Sequence, residues 1–161
     1  MIFVTVGSQK FQFNRLLMKV DEPVEKQVIQ DTVFAQTGYC DYIPRFFEHT
    51  AFMETDIFAD MESKADLVIT HGGTGAILGA VKKGKKVIAV PRLKKYKEHV
   101  DDHQIQILEE FDRKGVIKAC YELENLERIY REVQEITLQP YHSSTVKIIR
   151  SIESFLEKES G

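Results

Sequence analysis

The sequence predicts an α/β domain with a doubly wound, mainly parallel sheet, because three features occur together. Short apolar runs of strand length alternate with longer stretches in which apolar residues recur at helical spacing. The central runs, residues 66–70 and 87–90, are dominated by Val, Ile and Leu, as in strands buried on both faces. Glycine turns directly follow two runs, at Gly7 and at residues 72–75. This pattern is typical of a Rossmann-like domain.

Apolar runs bounded by turn residues predict five strands, at residues 2–6, 32–36, 66–70, 87–90 and 116–117. Helical spacing predicts six helices, at residues 13–29, 55–63, 76–83, 103–111, 123–133 and 144–158. Pro23 interrupts or restarts the first helix, and Thr55 or Asp56 is expected to cap the second. Residues 39–53 are ambiguous and leave room for a short strand within 47–53.

Composition places the chain among ordinary globular domains. It has 161 residues, 43% of them hydrophobic and 29% charged, which predicts a single domain over residues 1–161. A net charge of −3 argues against a nucleic-acid partner. No apolar run approaches the about 18 residues of a membrane span, and residues 1–20 do not have the pattern of a signal peptide. Cys40 and Cys120 have no metal spacing, so we expect reduced thiols in a cytoplasmic protein.

The glycine turn, residues 71–75, lies between a predicted strand and a predicted helix. Glycine allows a phosphate to approach the backbone, Thr74 adds a hydroxyl, and the helix N-terminus favours an anion. The sequence thus predicts a phosphate site that includes His71 and Gly75. Two plainer interpretations stay open: a simple turn that requires positive φ, and a structural role for His71.

A dinucleotide site is an alternative interpretation of the same turn, because Gly73, Gly75 and Gly79 fit a G-x-G-x-x-x-G pattern. The usual acid for the ribose is absent from the next strand end. Arg92 and the lysines after it would suit a 2′-phosphate instead, as in NADP.

The polar loop, residues 94–104, carries many groups that can bind hydroxyls. We expect it to contact a sugar through carboxylate, imidazole and amide groups, those of Glu98, His99, Asp102, His103 and Gln104. A solvated surface loop is the alternative. His99 and His103 would bind zinc only on one continuous helix, so no metal site is expected.

Three separated motifs resemble the donor-binding half of GT-B glycosyltransferases, namely the glycosyltransferase family 28 C-terminal domain. They are residues 4–9, residues 67–76 and the segment from Lys85 to Gln104. Small stand-alone versions of this half are known in two settings. One is a set of bacterial capsule and exopolysaccharide glycosyltransferase subunits, to which this chain looks most similar. The other is the cytosolic subunit of the dolichol-linked N-acetylglucosaminyltransferase.

The resemblance implies roles for individual residues. Gly7 and Ser8 would line a diphosphate crevice, and His103 and Gln104 would contact the donor sugar. The diphosphate itself would be held by His71, Gly72, Gly73 and Thr74. We expect Gly75, Arg92, Glu98, His99 and Asp102 to contribute to the same nucleotide-sugar site. Many relatives carry an acid facing the ribose where this chain has Gly79, and no general base can be assigned.

By the same resemblance, the chain would be a catalytic subunit that transfers a hexose from a UDP-sugar to a lipid-linked saccharide, in capsule or exopolysaccharide synthesis. The bacterial resemblance favours galactose over N-acetylglucosamine. A membrane-attached acceptor-binding subunit would be the partner and would recruit the chain to the inner face of the membrane. No cofactor is implied. A non-catalytic nucleotide-binding or regulatory subunit is the alternative.

Residues 143–161 are expected to form a C-terminal helix that either docks this partner or packs on the domain's own sheet. Its predicted apolar face consists of Val146, Ile149, Ile152, Phe155 and Leu156. A group of lysines at 82, 83, 85 and 86 would attract an anionic membrane surface weakly, or simply form a solvated helix end.

Overall fold

Six parallel strands form one sheet in the order β3-β2-β1-β4-β5-β6, which confirms the doubly wound α/β prediction. The strands are β1 Ile2–Thr5, β2 Val33–Gln36, β3 Glu48–Thr50, β4 Leu67–His71, β5 Lys86–Val90 and β6 Lys118–Ala119. The structure is a computed structural model that describes residues 1–140 and the positions 147, 150, 151 and 154. Apart from those four positions, the predicted helix at 143–161 and its docking face lie outside the described residues.

Helices cover both faces of the sheet. They are α1 Asn14–Glu25, α2 Thr55–Lys64, α3 Thr74–Lys82, α4 His103–Arg113 and α5 Leu126–Glu135, with 3-10 turns at Lys94–Tyr96 and Leu123–Asn125. Leu16 and Leu17 of α1 join Ile129 and Val133 of α5 in the core on one face. The core on the other face contains apolar side chains of α3 and α4, with Phe58 and Met61 of α2 packed against it. In the part of the chain that is described, no helix has both the length and the apolar character that a membrane crossing requires.

Several predicted boundaries are wrong, each for a local reason. The last strand occupies Lys118–Ala119 rather than residues 116–117, because the Val116 amide still donates to the Phe111 carbonyl as the chain leaves α4. The edge strand β3 lies within the ambiguous segment, and its exposed polar residues explain the missing apolar pattern. Pro23 lies in the last turn of α1, where the helix accommodates it.

Helix α2 begins without the predicted cap. Glu54 is the N-cap residue, and no side chain caps the helix through a hydrogen bond. Thr55 is the first helical residue, and the Asp56 carboxylate accepts the amide of Ile57.

Three lysines of the 82–86 group donate hydrogen bonds to backbone carbonyls of neighbouring helices. The Lys83 ammonium bonds the Ala59 carbonyl and the Glu62 carboxylate, at 2.9 and 3.0 Å. Lys85 donates to the Ser63 carbonyl of α2, and Lys86 donates to the Val133 carbonyl of α5. These bonds hold the three ammonium groups against α2 and α5, and the weak attraction to an anionic membrane stays a prediction.

Candidate functional site

A cleft of about 610 Å³ opens at the carboxyl ends of β1 and β4, where the strand order reverses. Ligands of doubly wound domains bind at this switch point. The lining residues come from the exits of β1, β3 and β4 and the first turns of α2 and α3, with the last residue of β2: Gly7, Ser8, Gln9, Gln36, Phe52, Met53, Thr55, Phe58, His71, Gly73, Thr74, Gly75 and Ala76. The two glycine-containing turns, at Gly7 and at residues 72–75, therefore meet in one cleft.

His71, the last residue of β4, lies between two glycines. A Cβ on Gly7 would be 2.5 Å from its Nε2 atom, and a Cβ on Gly73 would be 2.2 Å from its Cε1 atom. Gly7 also has a φ of +78°, which strongly favours glycine. The glycines therefore make room for an imidazole at the floor of the cleft.

The His71 imidazole is neutral and its tautomer is defined. Its pKa is lowered to about 3, mainly by burial, with smaller contributions from the positive charge of Arg92 and from His99. The Gly73 amide donates to Nδ1 at 3.1 Å, so the ring proton belongs on Nε2. His71 consequently offers a neutral N–H donor on the side of Gly7.

The N-terminus of α3 faces the same cleft and carries no side-chain cap. Gly73 is the N-cap residue, and the first turn contains no acidic residue. The Thr74 hydroxyl is buried without a hydrogen-bond partner. No atom lies within 4 Å of the place of a Cβ on Gly75. Exposed amides, a helix dipole and a spare hydroxyl are the elements of an anion site.

Gln104 joins the ends of β4 and β5. Its Oε1 atom accepts the Gly72 amide at 3.1 Å and the Arg92 amide at 2.9 Å. A Cβ on Gly72 would lie 2.9 Å from this side chain, so the glycine is required for the approach. The Gly72 amide is therefore occupied within the protein, and the amides of the first α3 turn are the better candidates for a ligand.

Arg92 and Glu98 support the site rather than line it, contrary to the prediction. Both side chains are fully buried. The guanidinium of Arg92 donates to backbone carbonyls, and the Glu98 carboxylate accepts two bonds from Arg15 at 3.0 Å and one from the Leu93 amide. These two charged side chains point into the interior because backbone groups of neighbouring loops require hydrogen-bond partners there.

His99 and His103 flank the carboxylate of Asp101 instead of lining the cleft. Nδ1 of His99 lies 3.2 Å from one Asp101 oxygen, and Nδ1 of His103 lies 3.5 Å from the other. Helix α4 begins at His103, so the two histidines do not share the continuous helix that a zinc pair would need. Asp102 accepts the Lys94 amide and borders a different cavity, of about 490 Å³.

Gln36 is a site residue that sequence reasoning missed. Its Oε1 atom accepts the Thr5 hydroxyl, and its Nε2 atom donates to the carbonyls of Gly7 and Ala51 at 3.1 and 2.7 Å. These bonds hold together the loops that follow β1 and β3. The feature of the sequence that could have identified Gln36 is a polar residue at the end of an apolar strand.

The apolar wall formed by Phe52, Met53 and Phe58 was also missed, since it comes from the segment without periodicity and from the first turns of α2. Gly79, the position at which the family resemblance implied a ribose-facing acid, faces the buried Glu62 of α2. Both carboxylate oxygens of Glu62 would be 3.3 Å from a Cβ on Gly79. One of these oxygens bonds Lys83 and the other has no partner.

Comparisons with known proteins agree with this geometry. Residues 1–157 match the sequence profile described as glycosyltransferase family 28 C-terminal domain. The chain is 45% identical over 120 residues to the UDP-N-acetylglucosamine transferase subunit ALG13 of Yarrowia lipolytica (strain CLIB 122 / E 150), a match that covers 66% of this chain and 56% of that protein. The chain thus spans about half the length of this relative and less of the mammalian ones.

Two solved structures share the fold. An NMR solution structure of ALG13 has a TM-score of 0.62 at 21% identity, covering 89% of each chain. A crystal structure described as the glycotransferase of kitacinnamycin has a TM-score of 0.58 at 15% identity, covering 99% of this chain and 40% of that one. At such identities the likeness concerns the fold alone.

Proposed function

This chain belongs to the glycosyltransferase family 28 C-terminal domain family, and on that premise we propose that it is the donor-binding catalytic subunit of a two-component glycosyltransferase. Its fold is Rossmann-like, of the GT-B C-terminal-half type. The reaction transfers a hexose from a UDP-sugar to a lipid-linked saccharide. The observation that carries the proposal is the uncapped N-terminus of α3, which opens with the His71 donor and the Thr74 hydroxyl into one cleft.

These groups suit a leaving diphosphate. The acceptor hydroxyl attacks the anomeric carbon while the bond from that carbon to the diphosphate oxygen breaks, so negative charge grows on the diphosphate. The Nε2–H of His71, the amides of Thr74 and Gly75 and the dipole of α3 stabilise this charge without reorganising. The site needs no metal under this proposal. The base that takes the acceptor proton comes from the partner.

The nucleoside and the sugar are inferred less directly. The exposed Phe52 beside Met53 provides an apolar face on which a planar base can pack. Uridine is chosen because the relatives are named UDP-N-acetylglucosamine transferase subunits. The same names favour N-acetylglucosamine over galactose as the first donor to test. A setting in capsule or exopolysaccharide synthesis rests on the sequence resemblance alone.

A partner is proposed because the described chain supplies one donor-binding domain, and its relatives are named as subunits. This partner would be membrane-attached, would bind the acceptor and would hold the chain at the cytoplasmic face. The alternative is a non-catalytic nucleotide-binding subunit. Release of sugar from UDP-N-acetylglucosamine and UDP-galactose separates the two, measured for the co-purified pair and for each chain alone. Turnover by the partner alone at the rate of the pair would favour the non-catalytic alternative.

Ligand-dependent melting tests the site itself. At a ligand concentration 100 times Kd, UDP should add about 2.7 kcal/mol to the free energy of unfolding and raise the melting temperature by several degrees. NADPH at the same concentration is the control and should leave the melt unchanged. Stronger stabilisation by NADPH than by UDP would replace the proposal with the dinucleotide interpretation.

A further inference from the structure

Arg92 connects two loops that are far apart in sequence. It follows β5 by two positions and is fully buried. Its Nη1 atom donates to the carbonyls of Phe11, Gln12 and Glu98 at 3.1, 3.2 and 3.1 Å, and Nη2 donates to the carbonyl of Val6. One guanidinium therefore ties the loop after β1 to the loop after β5.

The two ends of this residue reach both glycine-containing turns that border the cleft. The Val6 carbonyl belongs to the peptide that leads into Gly7, which lines the cleft. The Arg92 amide donates to Oε1 of Gln104, which also accepts the Gly72 amide of the second turn. Arg92 is thus bonded to the peptide before one glycine and linked through Gln104 to the turn that carries His71.

We propose that Arg92 is a positioning residue for the diphosphate subsite: it holds the loop after β1 against the glycine turn after β4 without touching the ligand. This inference rests on the proposed function, because it assigns the support of the same cleft. A buried guanidinium is costly unless its donors are matched, and four backbone carbonyls accept from Nη1 and Nη2 here, while Nε is buried without a hydrogen-bond partner among the described residues.

Electrostatics supports the same assignment. The charge of Arg92 is the second cause, after burial, that holds the pKa of His71 low. A neutral His71 keeps Nδ1 as the acceptor of the Gly73 amide and leaves the proton on Nε2. The charge of Arg92 therefore acts in the same direction as burial, and its backbone hydrogen bonds carry the support of the diphosphate donors.

The test compares Arg92→Lys and Arg92→Met with the matched variant Arg15→Met. Arg15 belongs to the same loop network through Glu98, but it makes no bond to the Val6 carbonyl. Calorimetry gives the affinity for UDP and NMR titration the affinity for uridine, both well below the melting temperature of each variant. Arg92→Lys keeps the charge and most of the volume. If Arg92→Met does not fold, the affinities of Arg92→Lys therefore decide whether Arg92 positions the diphosphate subsite.

Both Arg92 variants should lose at least about tenfold in affinity for UDP, which corresponds to about 1.4 kcal/mol, while uridine changes by less than about twofold. Arg15→Met should lower the melting temperature without changing the ratio of the two affinities. The inference is overturned if Arg92→Lys binds UDP like the wild type, or if UDP and uridine weaken equally. Failure of the wild type to prefer UDP over uridine would instead contradict the proposed function.

Discussion

The imidazole of His71 occupies the space in which any other residue at position 73 would place its Cβ. The distance from His71 Cε1 to that Cβ would be 2.2 Å, too short for real contacts. The Nε2 atom of the same ring excludes a Cβ on Gly7, which would lie 2.5 Å away. The two glycines are thus needed because a histidine lies between them, and a simple turn would not require both.

Gly73→Ala should destabilise the domain by about 1–3 kcal/mol, because the added methyl group must displace the buried imidazole. Binding of UDP should be lost with the displaced donor. Urea unfolding and calorimetry measure the two effects. Gly75→Ala is the control for stability, since its Cβ meets no atom within 4 Å and a helical alanine is favourable. Equal free energies of unfolding for Gly73→Ala and the wild type would contradict this account.

His71 should make the domain sensitive to mild acid. Its pKa is about 3 when folded and about 6.5 when unfolded, so between these values only the unfolded chain binds the proton. Stability from the neutral imidazole is therefore present above pH 6.5 and is lost as the pH falls. Between pH 7 and pH 5 the loss should be about 2 kcal/mol.

The measurement is the free energy of unfolding in urea at pH 7 and at pH 5, for the wild type and for His71→Asn. The variant retains an acceptor for the Gly73 amide but does not titrate, while every other ionisable group is common to both proteins. The wild type should lose about 2 kcal/mol more than the variant. Parallel losses would show that His71 is protonated in the folded state.

Gln104→Ala should lower the free energy of unfolding by about 1–3 kcal/mol for each buried amide left without an acceptor. The affected amides are those of Gly72 and Arg92, so the affinity for UDP should fall as well. Gln104→Glu retains an acceptor oxygen and should lie between the alanine variant and the wild type. Alanine and glutamate variants of equal stability would mean that the two amides find other partners.

His103→Ala should leave the affinity for UDP unchanged and reduce the additional affinity for the complete UDP-sugar. Its place at the start of α4, near Asp101 and outside the lining of the cleft, is the reason that the affinity for UDP should not change. The expected effect on the sugar follows from the family resemblance, which assigns His103 to the donor sugar. Calorimetry with UDP and with UDP-N-acetylglucosamine separates the two quantities. An equal loss for both ligands would place the side chain at the nucleotide, whereas no loss for either would remove it from the site.

The sequence alone determined the architecture and the main elements of the cleft. Strands β4 and β5 are apolar on both faces, which only a sheet covered by helices on both sides can satisfy. Parallel strands end at one edge, so the residues after β1 and β4 had to meet near the switch point. Gly7 and the glycine turn could therefore be assigned to one crevice before any coordinates.

The tertiary structure alone decided which polar residues face a ligand. Arg92 was expected in the site because it is charged, but carbonyls 80 to 86 positions away, at Val6, Phe11 and Gln12, bind its guanidinium in the interior. Gln36 is the opposite case: it was not expected in the site, but it lies there because the sheet brings the loops that contain Gly7 and Ala51 beside its side chain. The reason is general. The sequence shows which polar groups a side chain carries, but the backbone groups that bond with it come from distant segments and are known only once the chain has folded.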